Sequence, residues 1–149
     1  MAYYIKKRNG RKEKGKKRST MSLITKLDRV FSLYIRLRDS RQFAYKGFRC
    51  ISCGQIKPFC KADCGHYYSR RNMATRFDED NCNSECSYCN RFEASHLIGY
   101  RENLIRKIGH DRFDLLKIKS SQTKKWSVFE LEELIKYYTA LVAKMESEK

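Results

Sequence analysis

Apolar residues recur every three to four positions at both ends of the chain, and a central region without this period separates them. Such spacing is typical of an amphipathic helix with one buried face. The first repeat predicts a helix within residues 19–43, and three hydroxyl residues at its start can serve as N-cap. Its apolar positions are Leu23, Leu27, Val30, Phe31, Tyr34 and Ile35.

The C-terminal part of the chain predicts three more helices. One covers about residues 90–108 and ends at Gly109, because glycine commonly ends helices. A short one follows in "DRFDLLKIK". The last begins at Ser127, and Glu130 three residues later has the spacing of a capping box. Its apolar stripe is expected to form core or dimer packing and consists of Val128, Leu131, Leu134, Ile135, Tyr138, Leu141, Val142 and Met145.

The central region, residues 44–90, combines clustered cysteines with glycine and proline at short intervals. This composition favours small strands and turns that a metal ion holds together in place of a large core. We therefore predict an α+β fold. A single domain spans 19–149, with a small core over 44–108, a helix before it over 19–43 and helices after it over 109–149.

The chain has a net charge of +16, which indicates a polyanionic partner such as nucleic acid. Half of this charge lies in residues 1–18, where nine Lys and Arg face a single acidic residue. We predict a flexible basic arm there, either a solubilising tail or a phosphate-binding segment, and favour the second. We see no apolar run long enough to span a membrane and no secretory signal, so a cytoplasmic protein is expected.

Two Cys-x-x-Cys pairs, Cys50/Cys53 and Cys86/Cys89, predict a tetrahedral four-thiolate zinc site. Four cysteines leave no open position for a substrate, so this zinc is expected to be structural. Three cysteines remain: Cys60, Cys64 and Cys82. We interpret them as small buried apolar groups or free thiols. Cys60 and Cys64 also have the spacing of metal ligands and could replace one of the two pairs.

A second cluster of polar residues, which includes His66 and Asn90, lies inside or beside the segment between the two Cys-x-x-Cys pairs. Asn90 directly follows the last zinc ligand, so that ion would fix its position. We expect His66 and Asn90 to meet at a second site. Oxygen and imidazole ligands suit Mg²⁺ or Mn²⁺ better than zinc.

The stretches "CISCG", "DCGHYYSR" and "TRFDEDNCNSECSYCN" together resemble the HNH, or ββα-metal, nuclease motif in its zinc-bound form. The order is Cys-x-x-Cys, a strand that ends in His, an Asn in the following loop, and Cys-x-x-Cys-Asn. Over roughly residues 23–145 the chain is more closely similar to the NinG/Rap family of lambdoid-phage recombination proteins. The resemblance continues through "LIGYRENLIRKIG" and "KWSVFELEELIKYY".

This resemblance implies a hydrolase that cuts branched DNA, such as D-loops and Holliday junctions, during phage recombination. His66 would be the general base that deprotonates water, with Asn81 orienting its imidazole; alternatively His66 would itself bind the metal. Asn90 and Asp63 would bind the catalytic Mg²⁺ or Mn²⁺. Three arginines between His66 and Asn81 are expected to hold DNA phosphates: Arg70, Arg71 and Arg76.

Two positions depart from the pattern that the resemblance implies. Gly65 stands where many HNH proteins have an acidic residue, and a regular strand would place the side chains of Asp63 and His66 on opposite faces. Bringing them together requires a bend at Gly65. Glu93 stands where this family is expected to have a Lys, and its carboxylate would repel a scissile phosphate unless it faces away or binds the metal.

A second hypothesis keeps the same zinc-stabilised scaffold and basic arm but assigns them to binding branched DNA or RNA without cutting it. Because resolving a junction takes two incisions, we also hypothesise a homodimer joined by the apolar helix at 127–145. The expected location is the cytoplasm of the bacterial host, with the chain encoded by a phage or a prophage.

Overall fold

The structure is a computed structural model that describes residues 19–149. The predicted basic arm, residues 1–18, lies outside the described residues. The described part has helix α1 (Thr20–Ser40), strands β1 (Gly47–Arg49), β2 (Ile56–Pro58), β3 (Ala62–His66) and β4 (Cys82–Cys86), and helices α2 (Ser87–Phe92), α3 (His96–Ile108), α4 (His110–Ser120) and α5 (Val128–Ser147). The predicted α+β fold is confirmed.

The four strands form two antiparallel hairpins, β1 with β2 and β3 with β4. In the second hairpin His66 lies opposite Cys82, and Asp63 lies opposite Glu85. Strand β3 ends at His66, as the motif predicts. Helix α2 follows β4 directly, so the β3–β4 hairpin and α2 form a ββα unit.

The main core lies between α1 and α5, and α1 also packs against the β3–β4 hairpin. Ser19 accepts a hydrogen bond from the Ser22 amide and so caps α1. The capping box predicted for α5 is present. Side chains that are almost fully buried between these helices include Leu27, Phe31, Ile35 and Leu131. Burial of each large apolar side chain contributes about 1.5–3 kcal/mol.

The apolar stripe of α5 is used within the chain. Its buried positions, Leu131, Ile135, Tyr138 and Val142, belong to the core that α1 completes. This accounts for the periodicity of the last helix without a second subunit. The homodimer stays a hypothesis.

The helix predicted over 90–108 is two helices in the structure, with a break at Glu93–Ser95. Glu93 adopts an extended backbone conformation, and its carboxylate accepts hydrogen bonds from the Ser95 amide at 3.1 Å and hydroxyl at 2.6 Å. Side chains that bond to nearby backbone in this way compete with helical hydrogen bonds. The direction of the chain therefore changes between α2 and α3.

Candidate metal centres and active site

The two Cys-x-x-Cys pairs come together as predicted. Cys50 and Cys53 lie in the turn after β1, Cys86 ends β4, and Cys89 lies in α2. All four sulfur atoms lie within 4.8 Å of one another. This spacing fits a tetrahedral site, because two sulfurs that are each about 2.3 Å from one zinc ion lie about 4 Å apart.

The surroundings of these thiols also suit a cation. Burial raises the pKa of the Cys50 thiol to about 11, and burial likewise raises the pKa of Cys89. Burial alone would raise the pKa of Cys86 too, but hydrogen bonds from Cys89 and from the neighbouring thiols lower it. The Cys86 amide donates to Cys50 Sγ at 3.2 Å. Thiolates packed this closely require a compensating positive charge, which a divalent ion supplies.

The three remaining cysteines are separate from this group. Cys60 is exposed in a short 3₁₀ helix between β2 and β3, so it does not replace a member of either pair. Cys64 and Cys82 are buried in the core beneath α1, as the sequence interpretation allowed. Their sulfurs and one ring nitrogen of His66 also lie within 4.8 Å of one another.

Asp63 and Asn90 meet beside the four-cysteine group. The Asn90 side-chain amide donates to Asp63 Oδ2 at 3.1 Å. The guanidinium of Arg91 holds the same carboxylate in a bidentate pair, with distances of 2.8 Å to Oδ2 and 3.0 Å to Oδ1. Asn90 reaches this position because it lies in α2 one residue after the zinc-site cysteine Cys89.

This contact lies in a polar cavity of about 340 Å³. Residues from α1, β3, the loop after β3, and α2 line it, and three of them are arginines: Arg36, Arg70 and Arg91. Burial alone would raise the pKa of Asp63, but hydrogen bonds from Arg91 and Asn90 and the charges of Arg91 and Arg36 lower it. Asp63 is therefore ionised at neutral pH inside a basic surrounding.

The expected meeting of His66 and Asn90 is not found: among the described residues, no hydrogen bond joins His66 to Asp63 or Asn90. Strand β3 is regular, and Gly65 pairs with Asn83 within the ladder, so the bend considered at Gly65 is absent. The side chains of Asp63 and His66 thus point to opposite faces of β3. His66 Nε2 lies 3.1 Å from the Arg76 carbonyl oxygen. Burial, followed by the charge of Arg70, lowers the pKa of His66 below 6.5, so its imidazole is neutral at neutral pH.

Asn81 has a different role from the one that the motif implies. Its amide nitrogen donates to the carbonyls of Tyr68 and Thr75, each at 3.0 Å, and its oxygen accepts from the Tyr68 amide at 2.7 Å. It closes the loop between β3 and β4 and does not hydrogen-bond the imidazole. Its influence on His66 is indirect, because this loop carries the Arg76 carbonyl.

The three arginines predicted to hold phosphates divide into two kinds. Arg70 and Arg71 are exposed. Arg76 is largely buried, and its guanidinium pairs with Asp28 of α1 at 2.5 Å and donates to the Arg70 carbonyl at 3.0 Å. Contrary to the prediction, Arg76 fastens the loop to α1 and does not present its charge to DNA.

Glu93 faces away from the Asp63 cavity, which is one of the two outcomes that the sequence left open. It lines a different surface depression together with Cys53, Cys89 and His96. A carboxylate in this position does not repel a phosphate bound near Asp63. Glu93 serves the turn between α2 and α3.

Sequence reasoning missed Arg91 as the partner of Asp63 and did not place Arg36 at the site. Arg91 follows the Asn of the Cys-x-x-Cys-Asn motif, and that adjacency was an available signal. Arg36 had none, because an arginine on the polar side of a helix usually faces solvent. Only the packing of α1 across β3 brings it to the cavity.

Comparisons with known proteins agree on one family. A family model described as "Bacteriophage Lambda NinG protein" matches residues 3–148. The chain is 32% identical to Protein ninG of Escherichia phage 933W over 109 residues, which covers 72% of this chain and 50% of that protein. It is 29% identical to Protein ninG of Escherichia phage lambda over 113 residues, 74% of this chain and 51% of that one.

Protein ninG of Salmonella phage P22 is 33% identical over 87 residues, which covers 58% of this chain and 39% of that protein. The chain thus matches about half or less of the length of each of these relatives. No solved structure matches it. The match to the family model runs through every described strand and helix. The chain therefore belongs to the NinG family of bacteriophage proteins.

Proposed function

We propose that this chain is a metal-dependent, structure-selective DNA endonuclease that acts on branched DNA during phage recombination. The observation that carries the proposal is the contact between Asp63 and Asn90 in an arginine-lined cavity beside the four-cysteine group. A carboxylate and an amide on adjacent elements are the oxygen donors that Mg²⁺ or Mn²⁺ requires.

The charge around this cavity supports a phosphodiester substrate. Arg36, Arg70 and Arg91 surround Asp63, and Arg71 is exposed next to Arg70. Guanidinium groups bind phosphate oxygens in bidentate geometry. A DNA backbone in this cavity would place a phosphate close to the Asp63–Asn90 pair.

Asp63 and Asn90 would hold a divalent ion, which supplies charge neutralisation for the phosphorane-like transition state and for the departing 3′ oxygen. Arg91 would release the Asp63 carboxylate, and the Asn90 amide would turn its oxygen toward the ion. Arg91 would then be free to hold the phosphate.

His66 is the proposed proton acceptor. Its imidazole is neutral at neutral pH because burial lowers its pKa, and a neutral imidazole can take a proton from water. Cys64, two residues earlier on β3, and Arg70 line the cavity, whereas His66 itself points to the face of β3 opposite Asp63. The proposed proton transfer therefore requires the substrate to reach the face of β3 that carries His66.

One observation favours a second candidate function, the binding of branched DNA or RNA without cleavage. Arg91 occupies both oxygens of the Asp63 carboxylate. An Asp63 that stays paired in this way positions an arginine and holds no metal ion. The chain would then recognise phosphates through its arginines alone.

The test is nicking of a labelled four-way DNA junction with Mg²⁺ or Mn²⁺, with a linear duplex of the same sequence for comparison. We expect the wild type to cut the junction, and we expect Asp63→Asn and His66→Ala to reduce the cleavage rate by about 10²-fold or more. Asp114→Asn, which changes an exposed carboxylate on α4, is the matched control and should cut like the wild type.

Binding is measured separately with Ca²⁺ in place of Mg²⁺. Asp63→Asn should retain junction binding, because it removes a negative charge from a site for phosphate. If the wild type binds the junction but neither Mg²⁺ nor Mn²⁺ supports a cut, the binding function stands and the endonuclease is rejected.

A further inference from the structure

Cys64, His66 and Cys82 form a second group of metal-ligand side chains on the β3–β4 hairpin. His66 and Cys82 lie opposite each other in the register, and Cys64 lies two residues before His66 on the same face. Their two sulfurs and one ring nitrogen lie within 4.8 Å of one another. Two thiols and an imidazole this close are three of the four ligands of a tetrahedral zinc site.

The hairpin geometry favours a shared metal ion over a disulfide. Cys64 lies opposite Ser84, so Cys64 and Cys82 are diagonal neighbours. Cα atoms of diagonal neighbours are about 7–8 Å apart, whereas a disulfide needs about 4.4–6.8 Å. An ion between the sulfurs spans this separation without moving the backbone.

This group is separate from the four-cysteine group. Cys82 and Cys86 are four residues apart on β4, which corresponds to about 13 Å along a strand. The two groups also lie in different parts of the interior: Cys64 and Cys82 belong to the core beneath α1, and Cys86 packs with Phe48 and Cys50. One ion cannot serve both groups.

A neighbouring backbone group orients His66, and the arginine-lined cavity gives access to the group. The Arg76 carbonyl lies 3.1 Å from His66 Nε2, and the ion pair with Asp28 holds Arg76 in place. The Cys82 thiol donates to the same carbonyl at 3.5 Å, and this bond would be given up when Cys82 loses its proton to bind a metal ion. Ligands of bound metal ions are commonly oriented by such backbone and side-chain partners. Cys64 lines the arginine-lined cavity, which supplies an entry path and room for water as fourth ligand.

We propose that Cys64, His66 and Cys82 bind a second, soft divalent ion, with Zn²⁺ as the best fit. Thiolate ligands select zinc over Mg²⁺ and Mn²⁺. Two thiolates and a neutral imidazole around a dication carry no net charge, which suits a buried place. This proposal does not rest on the nuclease activity, because metal content alone tests it. An imidazole bound to zinc cannot serve as the general base of the proposed function, so the two roles of His66 exclude each other. Cleavage would need this site to be empty, and added Zn²⁺ would inhibit it.

The test is the number of ions per chain, measured by mass spectrometry of metals after loading with Zn²⁺ and dialysis. A parallel titration with Co²⁺ reports cobalt–thiolate absorption, which grows with the number of thiolate ligands. The decisive variant is the double substitution Cys64→Ser with Cys82→Ser. Cys60→Ser is the matched control, because it removes an exposed thiol outside both groups.

We expect two ions in the wild type and in Cys60→Ser, and one in the double variant. The remaining ion shows that the double variant keeps its four-cysteine group and its fold. One ion in the wild type, or two in the double variant, overturns the proposal. If the double variant loses both ions, the His66→Gln variant decides. Loss of this ligand should lower the affinity for the second ion by at least about tenfold. An unchanged affinity overturns the proposal.

Discussion

Gly65 is needed where it stands because the carboxylate of Glu85 occupies the space beside it. A Cβ at this position would lie 2.8 Å from Glu85 Cβ and closer still to Glu85 Oε2. Glu85 is fully buried, and its other oxygen accepts hydrogen bonds from His96 Nδ1, at 2.6 Å, and from the Ser52 hydroxyl. The acidic residue that many HNH proteins have before the His would not fit in this chain.

Gly65→Ala should therefore lower the free energy of unfolding by about 1–3 kcal/mol, because the added methyl group overpacks a buried site. Urea denaturation measures the loss. In a Glu85→Ala background the same substitution should cost less, since most of the clashing atoms are gone. An equal cost in both backgrounds would show that Glu85 is not the reason for the glycine.

The buried carboxyl group of Asp39 predicts how the stability of the fold depends on pH. Burial alone would raise its pKa, but the Arg38 guanidinium and the Lys107 ammonium lower it below its ordinary value of 3.8. A carboxyl with a lowered folded-state pKa adds stability that is fully present above about pH 4 and is lost as the pH falls through that folded-state pKa.

Asp39→Asn should thus cost about 3 kcal/mol near pH 7, as expected when one partner of a buried ion pair is removed. The difference from the wild type should shrink below pH 4. Denaturation at several pH values measures it, with the exposed Asp114→Asn as control. A difference that stays constant down to pH 2 would contradict the assignment.

Single residues were predictable where spacing alone defines a ligand set. The four clustered cysteines follow from the two Cys-x-x-Cys spacings, and the place of Asn90 beside them follows from its adjacency to Cys89, although its partner is Asp63 and not His66 as expected. The ion pairs of Arg76 with Asp28 and of Arg91 with Asp63 were not predictable, because their partners lie 48 and 28 residues away. Charged residues at such separations have no pattern that specifies which ones pair.

At the scale of elements, the structure has a helical part and a part that depends on the cysteines. Helices α1 and α5 pack through a continuous apolar core. Around the four-cysteine group the apolar cluster is small: Phe48 and Ala62 complete it together with three of the cysteines. A metal ion is expected to replace the missing apolar packing there.

Removal of zinc should therefore loosen β1, β2 and α2 and leave the α1–α5 core folded. Hydrogen exchange with and without a strong chelator measures this by segment, and protection should fall in β1, β2 and α2 before it falls in α1. Cys89→Ala should behave like the chelated wild type, and Cys60→Ser should behave like the metal-loaded one. Simultaneous loss of protection in all segments would show that the two parts unfold as one unit.

Element types were predictable wherever apolar periodicity extends over several turns, as in α1 and α5. The break between α2 and α3 was not, because it depends on one carboxylate that bonds to the backbone two residues later. Among the described residues, none of the helices has the length and apolar character needed to cross a bilayer. Short strands such as β1 and β2 have too few residues to establish an alternating pattern.

At the scale of the whole molecule, the positive charge predicts salt-sensitive binding to nucleic acid. Residues 1–18 carry half of the net charge of +16. Each phosphate contact adds about −0.9 to the slope of log affinity against log salt concentration. Deletion of residues 1–18 should weaken junction binding and make this slope shallower by up to about eight units.

A chain with the same 18 residues in scrambled order is the control, and it should bind like the wild type because phosphate contacts do not depend on sequence. Fluorescence anisotropy over a range of salt concentrations measures both quantities. A deletion that leaves the slope unchanged would assign the arm to solubility.

The short helix α2 carries Cys89 and Asn90 side by side, and it has only six residues. A helix of this length does not persist in water by itself, because nucleation is too costly. On the proposed function, sample history therefore governs the cleavage assay: material prepared with a chelating buffer would not cut with added magnesium, although Asp63 and Asn90 are intact in its sequence. Zinc supplementation during expression, and a zinc assay for every batch, belong before the first cleavage assay.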